Sequence, residues 1–309
     1  MAFGVKRLLG TDIRFSDFDA TPRSRVKPGQ ALCLALVRGA TPYATSKALD
    51  RILLKHKLDR TNLKCPTLLI QGITDPGKIM KPFCDSLRGF GFTANVSSAS
   101  RSNGPTLLGS KRQKTIFNKY FNKVGRPINL IGHSFGGLMS LHLARLHPEK
   151  VNAVIILASP CQLAYNEITA NTAEDLGRLF KFIDRAKFFF ERDTFQNWVG
   201  EQDRTPLGIP IISFVACKDE MVNPFKCEAP KGDLNRTVFV DCGHSDIKNH
   251  PAVIATIAHF YEHGYLAELP EDIVALGIVD RSNVVNPFVA QAVVYQPSHV
   301  SEGNALTLA

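Results

Sequence analysis

The stretch Ile128-Asn-Leu-Ile-Gly-His-Ser-Phe-Gly-Gly137 decides the fold of this chain. Its first four residues have the composition of a short buried strand, and residues 138–147 form an apolar-rich helical segment that Pro148 ends. Between them, residues 132–136 match the pattern G-x-S-x-G, a tight strand-to-helix turn with a serine at its tip. A helix N-terminus behind the serine favours a developing anion. We therefore predict that Ser134 is a nucleophile.

Steric crowding explains the glycines of this turn, the elbow, which comprises residues 132–136. A side chain at Gly132 or Gly136 is expected to strike the neighbouring strand or helix. The strand before the elbow and the helix after it favour the catalytic interpretation over an ordinary turn with a hydrogen-bonded serine.

The composition limits the class of protein. The chain has 309 residues and 44% hydrophobic content, which is enough for one large core. No run approaches the ~18 apolar residues of a membrane-spanning helix, and the first 15 residues lack the apolar segment of a signal peptide. Seven cysteines without a CxxC pair indicate reduced thiols and argue against zinc. We expect a cytoplasmic protein with no metal, no cofactor and no stable membrane insertion.

The net charge of +9 is concentrated in residues 1–64, whereas residues 265–309 are acidic. A basic segment can contact an anionic polymer, but no nucleic-acid motif accompanies this one. We therefore expect no nucleic-acid partner. Residues 1–64 are predicted to be a partly helical extension. Residues 265–309 have weak periodicity and are predicted to be a partly disordered tail.

Strand-like and helix-like segments alternate through residues 65–264, which we predict to form one domain. This alternation predicts an α/β fold, in which a mostly parallel sheet is covered by helices on both faces. Residues 160–209 interrupt the rhythm and are predicted to form a helical lid. Its aromatic side chains either pack on the body or line an acyl pocket: Phe180, Phe182, Phe188, Phe189, Phe190, Phe195 and Trp198.

A serine nucleophile needs a histidine base, which an acid must orient. His244 follows one predicted strand, and Asp219 follows the preceding one, with Glu220 as the alternative acid. The order Ser134, Asp219, His244 is that of the fold in which G-x-S-x-G turns occur. His133, inside the elbow, is expected to face the wrong way to act as the base.

The tetrahedral intermediate of acyl transfer needs hydrogen-bond donors for its oxyanion. One is predicted to be the backbone N–H of Phe135, directly after the nucleophile. The other is predicted to be the backbone N–H of Ile73, in the loop that follows the strand Thr67–Gln71.

These segments together resemble the α/β-hydrolase fold superfamily, and within it the serine esterases and lipases. The resemblance covers residues 65–264 and is carried by the elbow and by four further segments: Leu69–Ile73, Val154–Pro160, Ala216–Pro224 and Cys242–Ser245. Many members have His-Gly where this chain has Gln71-Gly72.

The resemblance implies cofactor-independent hydrolysis of a small-molecule or lipid ester through an acyl-enzyme, and a lid at residues 160–209. An acyltransferase or thioesterase would use the same triad with another acceptor. A third alternative is a non-catalytic interaction protein on a hydrolase scaffold. The sequence indicates neither the substrate nor the oligomeric state.

Overall fold

The computed structural model describes residues 66–72, 80–97, 107–161 and 207–284. The predicted extension at residues 1–64 lies outside these ranges, as do Ile73, residues 162–206 of the predicted lid with all its aromatic side chains, and residues 285–309 of the predicted tail.

One mixed sheet organises the described residues. Its strands are β1 (Pro66–Ile70), β2 (Thr93–Val96), β3 (Ile128–His133), β4 (Val151–Leu157), β5 (Ile211–Ala216), β6 (Asn235–Val240) and β7 (Ile278–Val279). They lie in the order β2-β1-β3-β4-β5-β6-β7. Every neighbouring pair is parallel except the antiparallel pair of β6 with β7. The predicted mostly parallel α/β sheet is therefore confirmed.

Helices connect the strands. They are α1 (Lys81–Gly89), α2 (Leu107–Val124), α3 (Phe135–Leu146), α4 (Pro251–His263) and the short α5 (Glu271–Val274). Pro251 occupies the first turn of α4, where its missing N–H costs no helical hydrogen bond. Gly264 follows α4 at φ 99°, a positive value that a glycine adopts readily because it has no Cβ.

Two apolar layers cover the two faces of the sheet. Successive residues of a strand point to opposite faces, and β1 shows the result. Leu69 packs in one layer with α1 and α4. Leu68 and Ile70 pack in the other with α2 and α3. All five residues of β1 are buried, as expected for a parallel strand inside the sheet. Burial of each leucine or isoleucine side chain contributes about 1.5–3 kcal/mol to the free energy of folding.

The fold continues beyond the boundary predicted at residue 264. α5 packs beside α4, and β7 adds an antiparallel edge to the sheet through the pair Phe239 and Val279. Residues 265–284 of the predicted tail thus cover one edge of the sheet. None of the helices in the described ranges is both long enough and apolar enough to cross a bilayer.

Close backbone contacts explain the elbow glycines, as the sequence predicts. A Cβ on Gly132 would lie 2.2 Å from the carbonyl oxygen of Gly136. A Cβ on Gly136 would lie 2.2 Å from the carbonyl oxygen of Ile70 in β1. Because real Cβ contacts are essentially never this short, a side chain at Gly136 must push the start of α3 away from β1, and one at Gly132 must push it away from β3.

Gly136→Ala is therefore expected to destabilise the protein by at least the ~1–3 kcal/mol typical of overpacking. Gly89→Ala is the matched control, because nothing lies within 4 Å of a Cβ at the end of α1. That change should leave the free energy of unfolding unchanged or raise it slightly. Urea unfolding of both variants measures the difference, and equal stabilities would contradict the close approach of α3 to β1.

Candidate active site

Ser134 lies at the tip of the elbow, between the end of β3 and the first residue of α3. Its backbone has φ 53° and ψ −126°, a conformation that side-chain-bearing residues adopt at a cost of about 1–3 kcal/mol. Its N–H donates to the carbonyl oxygen of Leu157 at 2.8 Å, which ties the elbow to β4. The side chain is half-buried, so the surrounding structure holds a strained serine in a partly accessible position.

Asp219 and His244 form a buried pair on neighbouring loops. Asp219 follows β5, and His244 follows β6. His244 Nδ1 donates to Asp219 Oδ2 at 2.7 Å. The other carboxylate oxygen accepts the backbone N–H groups of Met221 and Val222 at 2.8 and 2.7 Å. With Nδ1 carrying the proton, the Nε2 atom of neutral His244 is left as the proton acceptor.

Glu220 approaches the histidine loop from another direction. Its Oε2 accepts the backbone N–H of His244 at 3.3 Å, whereas the ring contact belongs to Asp219. Burial raises the pKa of Glu220, and the charge of Asp219 raises it further. The two adjacent acids therefore hold different parts of the same residue.

Opposing effects act on the pKa of His244. Burial alone would lower it, but the charge and hydrogen bond of Asp219 outweigh burial, and the charge of Glu220 adds to them. Lys248 acts in the opposite direction. The net result is a pKa above the ordinary value of 6.5. Neutral His244, which is able to accept a proton, is thus favoured only at a pH above this raised pKa.

His133 joins the elbow to the histidine loop. It is buried, and its Nε2 donates to the carbonyl oxygen of His244 at 3.0 Å. The two imidazole rings are tilted, with their centroids 5.0 Å apart. The sequence carries no signal of this contact beyond the position of His133 directly before Ser134.

The two predicted oxyanion donors differ in what the structure describes. Phe135 is the first residue of α3, as the prediction requires. Ile73 lies outside the described residues, but the loop that leads to it is packed against the elbow. The carbonyl oxygens of Ile70 and Gln71 both lie within 2.6 Å of a Cβ placed on Gly136.

A metal site does not emerge from the described part of the chain. Within it, no three His, Cys, Asp or Glu side chains are grouped so that they could hold an ion. The cysteines in these ranges are free thiols: Cys84, Cys161, Cys217, Cys227 and Cys242.

Comparison with known proteins finds a matching family model. It is described as the alpha/beta hydrolase fold and matches residues 123–197, a range that includes the elbow. The resemblance to the α/β-hydrolase fold is therefore confirmed. Among curated proteins, none has a sequence significantly similar to this chain.

Solved structures with a similar fold include a pyrethroid hydrolase from Sphingobium faniae JZ-2, with 17% identity and a TM-score of 0.46 over 66% of this chain and 99% of the other. A monoacylglycerol lipase of Paleococcus ferrophilus has 13% identity and a TM-score of 0.46 over 64% and 97%. The naproxen esterase of Bacillus subtilis has 14% identity and a TM-score of 0.42 over 64% and 83%.

The pKa of His244 provides a test of the site that does not depend on catalysis. We expect His244 to titrate above 6.5 in the wild type. In Asp219→Asn, the opposing charge and hydrogen-bond acceptor are lost while burial persists, so the pKa should fall below 6.5. Glu220→Gln should lower it less, because only a weaker charge effect is removed.

Imidazole NMR across a pH series measures these shifts. His250 serves as an internal reference, since burial lowers its pKa and neither substituted acid is among the charges acting on it. A His244 pKa that does not change in Asp219→Asn would show that the pair does not form in solution.

Proposed function

We propose that this chain, which has the α/β-hydrolase fold, is a serine hydrolase that cleaves carboxylic esters through an acyl-enzyme on Ser134. The single observation that carries the proposal is the buried hydrogen bond of 2.7 Å between His244 Nδ1 and Asp219 Oδ2. His133, the residue before the strained Ser134, contacts the backbone carbonyl oxygen of the same histidine. A purely structural ion pair would not require a strained, half-buried serine at position 134. This combination supports nucleophilic catalysis over a purely structural role.

In the proposed acylation step, Ser134 Oγ attacks the ester carbonyl carbon while His244 Nε2 takes the hydroxyl proton. The carbonyl π electrons move onto oxygen and form the tetrahedral oxyanion. Collapse of the oxyanion breaks the bond to the alcohol, which leaves with the proton from His244. Water then attacks the acyl-enzyme by the same sequence, which releases the carboxylic acid and restores Ser134.

The role proposed for Asp219 follows from its contacts. It holds the Nδ1 proton of His244 and thereby keeps Nε2 available as the base. It also stabilises the imidazolium that forms during attack. The two backbone N–H groups that bind its other oxygen hold the carboxylate in position.

The proposed oxyanion donors are the backbone N–H of Phe135, supported by the N-terminus of α3, and that of Ile73 in the loop after β1. This arrangement uses no cofactor or metal. The substrate class is a small-molecule or lipid ester. An acyltransferase or thioesterase would differ only in the acceptor or leaving group. Product analysis with added alcohols and thiols distinguishes them.

Ser134→Ala is expected to abolish labelling by a fluorophosphonate probe and to lower kcat for a short p-nitrophenyl ester by about 10⁶-fold. Ser140→Ala is the matched control, because Ser140 is a buried serine of α3 away from the elbow tip. It should keep both labelling and turnover. Full activity of Ser134→Ala in a pure preparation would rule out the nucleophile.

Asp219→Asn should lower kcat by about 10⁴-fold, because the amide stabilises the wrong tautomer of His244. Glu220→Gln should have a far smaller effect, since its side chain keeps an acceptor for the His244 backbone N–H. Steady-state kinetics of the two variants on the same ester distinguishes the acids. A larger loss in Glu220→Gln than in Asp219→Asn would assign the acid to Glu220.

A further inference from the structure

The end of β4 holds the elbow through Ser159, a residue without a role in the mechanism above. Its side chain is fully buried, and its Oγ donates to the carbonyl oxygen of Ser134 at 2.6 Å. A second acceptor, the carbonyl oxygen of Leu157, is farther away at 3.3 Å. A hydroxyl has one hydrogen to donate, and the shorter contact shows where it is directed.

Backbone strain at two neighbouring strand ends accompanies this contact. In the described residues, the non-glycine positions with positive φ are Ser134 at 53° and Ala158 at 48°. Ala158 precedes Ser159, and its N–H is held by the carbonyl oxygen of Phe214 in β5 at 2.9 Å. Strain of this kind persists only where surrounding contacts fix it. The contacts here link the strained end of β4 to the strained tip of the elbow.

Gly137 leaves the space that Ser159 fills. A Cβ on Gly137 would lie 1.9 Å from Ser159 Oγ and 2.6 Å from Ser159 Cβ. The G-x-S-x-G pattern does not include this third glycine, so its presence has a local cause. Gly137 also donates its N–H to the carbonyl oxygen of Ser134 at 2.9 Å. Two donors therefore converge on that one oxygen.

The oxygen that Ser159 binds belongs to the peptide unit that also carries the N–H of Phe135. A peptide unit is planar, and no peptide bond in the described chain is cis. The carbonyl of Ser134 and the N–H of Phe135 therefore point in opposite directions within one planar trans peptide unit. Fixing the oxygen fixes the direction of the N–H. Hydrogen bonds to a carbonyl also polarise its peptide, which makes the N–H a stronger donor.

We propose that Ser159 is a positioning residue that aims the Ser134–Phe135 peptide, so that the Phe135 N–H meets the oxyanion of the transition state. The inference rests on the proposed function, because it assigns to Ser159 a part in the same reaction. It predicts that the hydroxyl affects transition-state stabilisation more than ester binding.

The chain offers a matched control for the obvious variant. Ser140 is also fully buried, and its Oγ donates to the carbonyl oxygen of Gly136 at 2.8 Å. Ser159→Ala and Ser140→Ala each remove one buried hydroxyl-to-carbonyl hydrogen bond next to α3. The two variants should therefore lose similar melting temperature, while only Ser159→Ala disturbs the Ser134–Phe135 peptide.

We expect Ser159→Ala to lower kcat for p-nitrophenyl acetate about tenfold to 100-fold, because losing one oxyanion donor costs ~10²–10³-fold and here the donor stays but is poorly aimed. KM should change little. Ser140→Ala should stay within about twofold of the wild type. Equal effects in the two variants would overturn the inference and leave Ser159 a structural residue.

A transition-state analogue gives a readout that a structural role would not change. An aryl trifluoromethyl ketone forms a hemiketal with a nucleophilic serine, and its oxyanion binds the same donors. Its inhibition constant should weaken in Ser159→Ala by the factor lost in kcat/KM, as complementarity to the transition state requires. The acid limb of the pH profile should not move, because the Asp219–His244 pair is untouched. A moved acid limb with unchanged analogue affinity would overturn the inference.

Ser159→Cys keeps a weak donor in a similar shape, so its kcat should lie between those of the wild type and Ser159→Ala. If Ser159→Ala does not fold, this variant carries the comparison with Ser140→Ala. A kcat for Ser159→Cys equal to that of the wild type would then overturn the inference. If the wild type neither labels with a fluorophosphonate nor hydrolyses esters, the proposed function fails and the inference fails with it. If the wild type is active and the Ser159 variants match Ser140→Ala, only the inference fails.

Discussion

The close approach of α3 to β1 is the constraint on which the rest of this site depends. The Gly136 backbone lies against the carbonyl oxygens at the end of β1, so that even a methyl group would enter their van der Waals radii. That contact sets the N-terminus of α3 directly over the carboxyl edge of the sheet. It also forces the chain from β3 into a turn so tight that Ser134 takes a positive φ. Sheet packing therefore creates the strain at the proposed nucleophile.

Holding that strain requires contacts from several strands. β4 receives the Ser134 N–H and supplies Ser159 to its carbonyl, while His133 connects the elbow to the loop after β6. The loop after β5 then orients His244 through Asp219. Each contact comes from a strand end on the same edge of a parallel sheet, where connecting loops must converge. A central parallel sheet is thus a rigid frame that fixes several loops relative to one serine.

The sequence predicts the parts of this arrangement that rest on periodicity and on motif spacing. The alternating segments predict the mostly parallel sheet. The sequence also predicts that a side chain at Gly132 or Gly136 would be too crowded, and the short backbone contacts at both positions agree. The sequence did not predict β7, because two residues are too few to show a period of two. It also missed the positive φ of Ala158, because alanine carries no signal for a left-handed conformation.

Adjacent acids explain why the choice between Asp219 and Glu220 needed the structure. They follow the last residue of β5, Ala216, by three and four positions, and sequence spacing cannot tell which side chain turns toward the ring. In the structure Asp219 reaches His244 Nδ1, and Glu220 instead reaches the backbone N–H of the same residue. A neighbouring like charge disfavours the ionised form of a carboxyl group. Burial raises the pKa of Glu220 most and the neighbouring charge of Asp219 raises it further, while Asp219 keeps the contact that orients the imidazole.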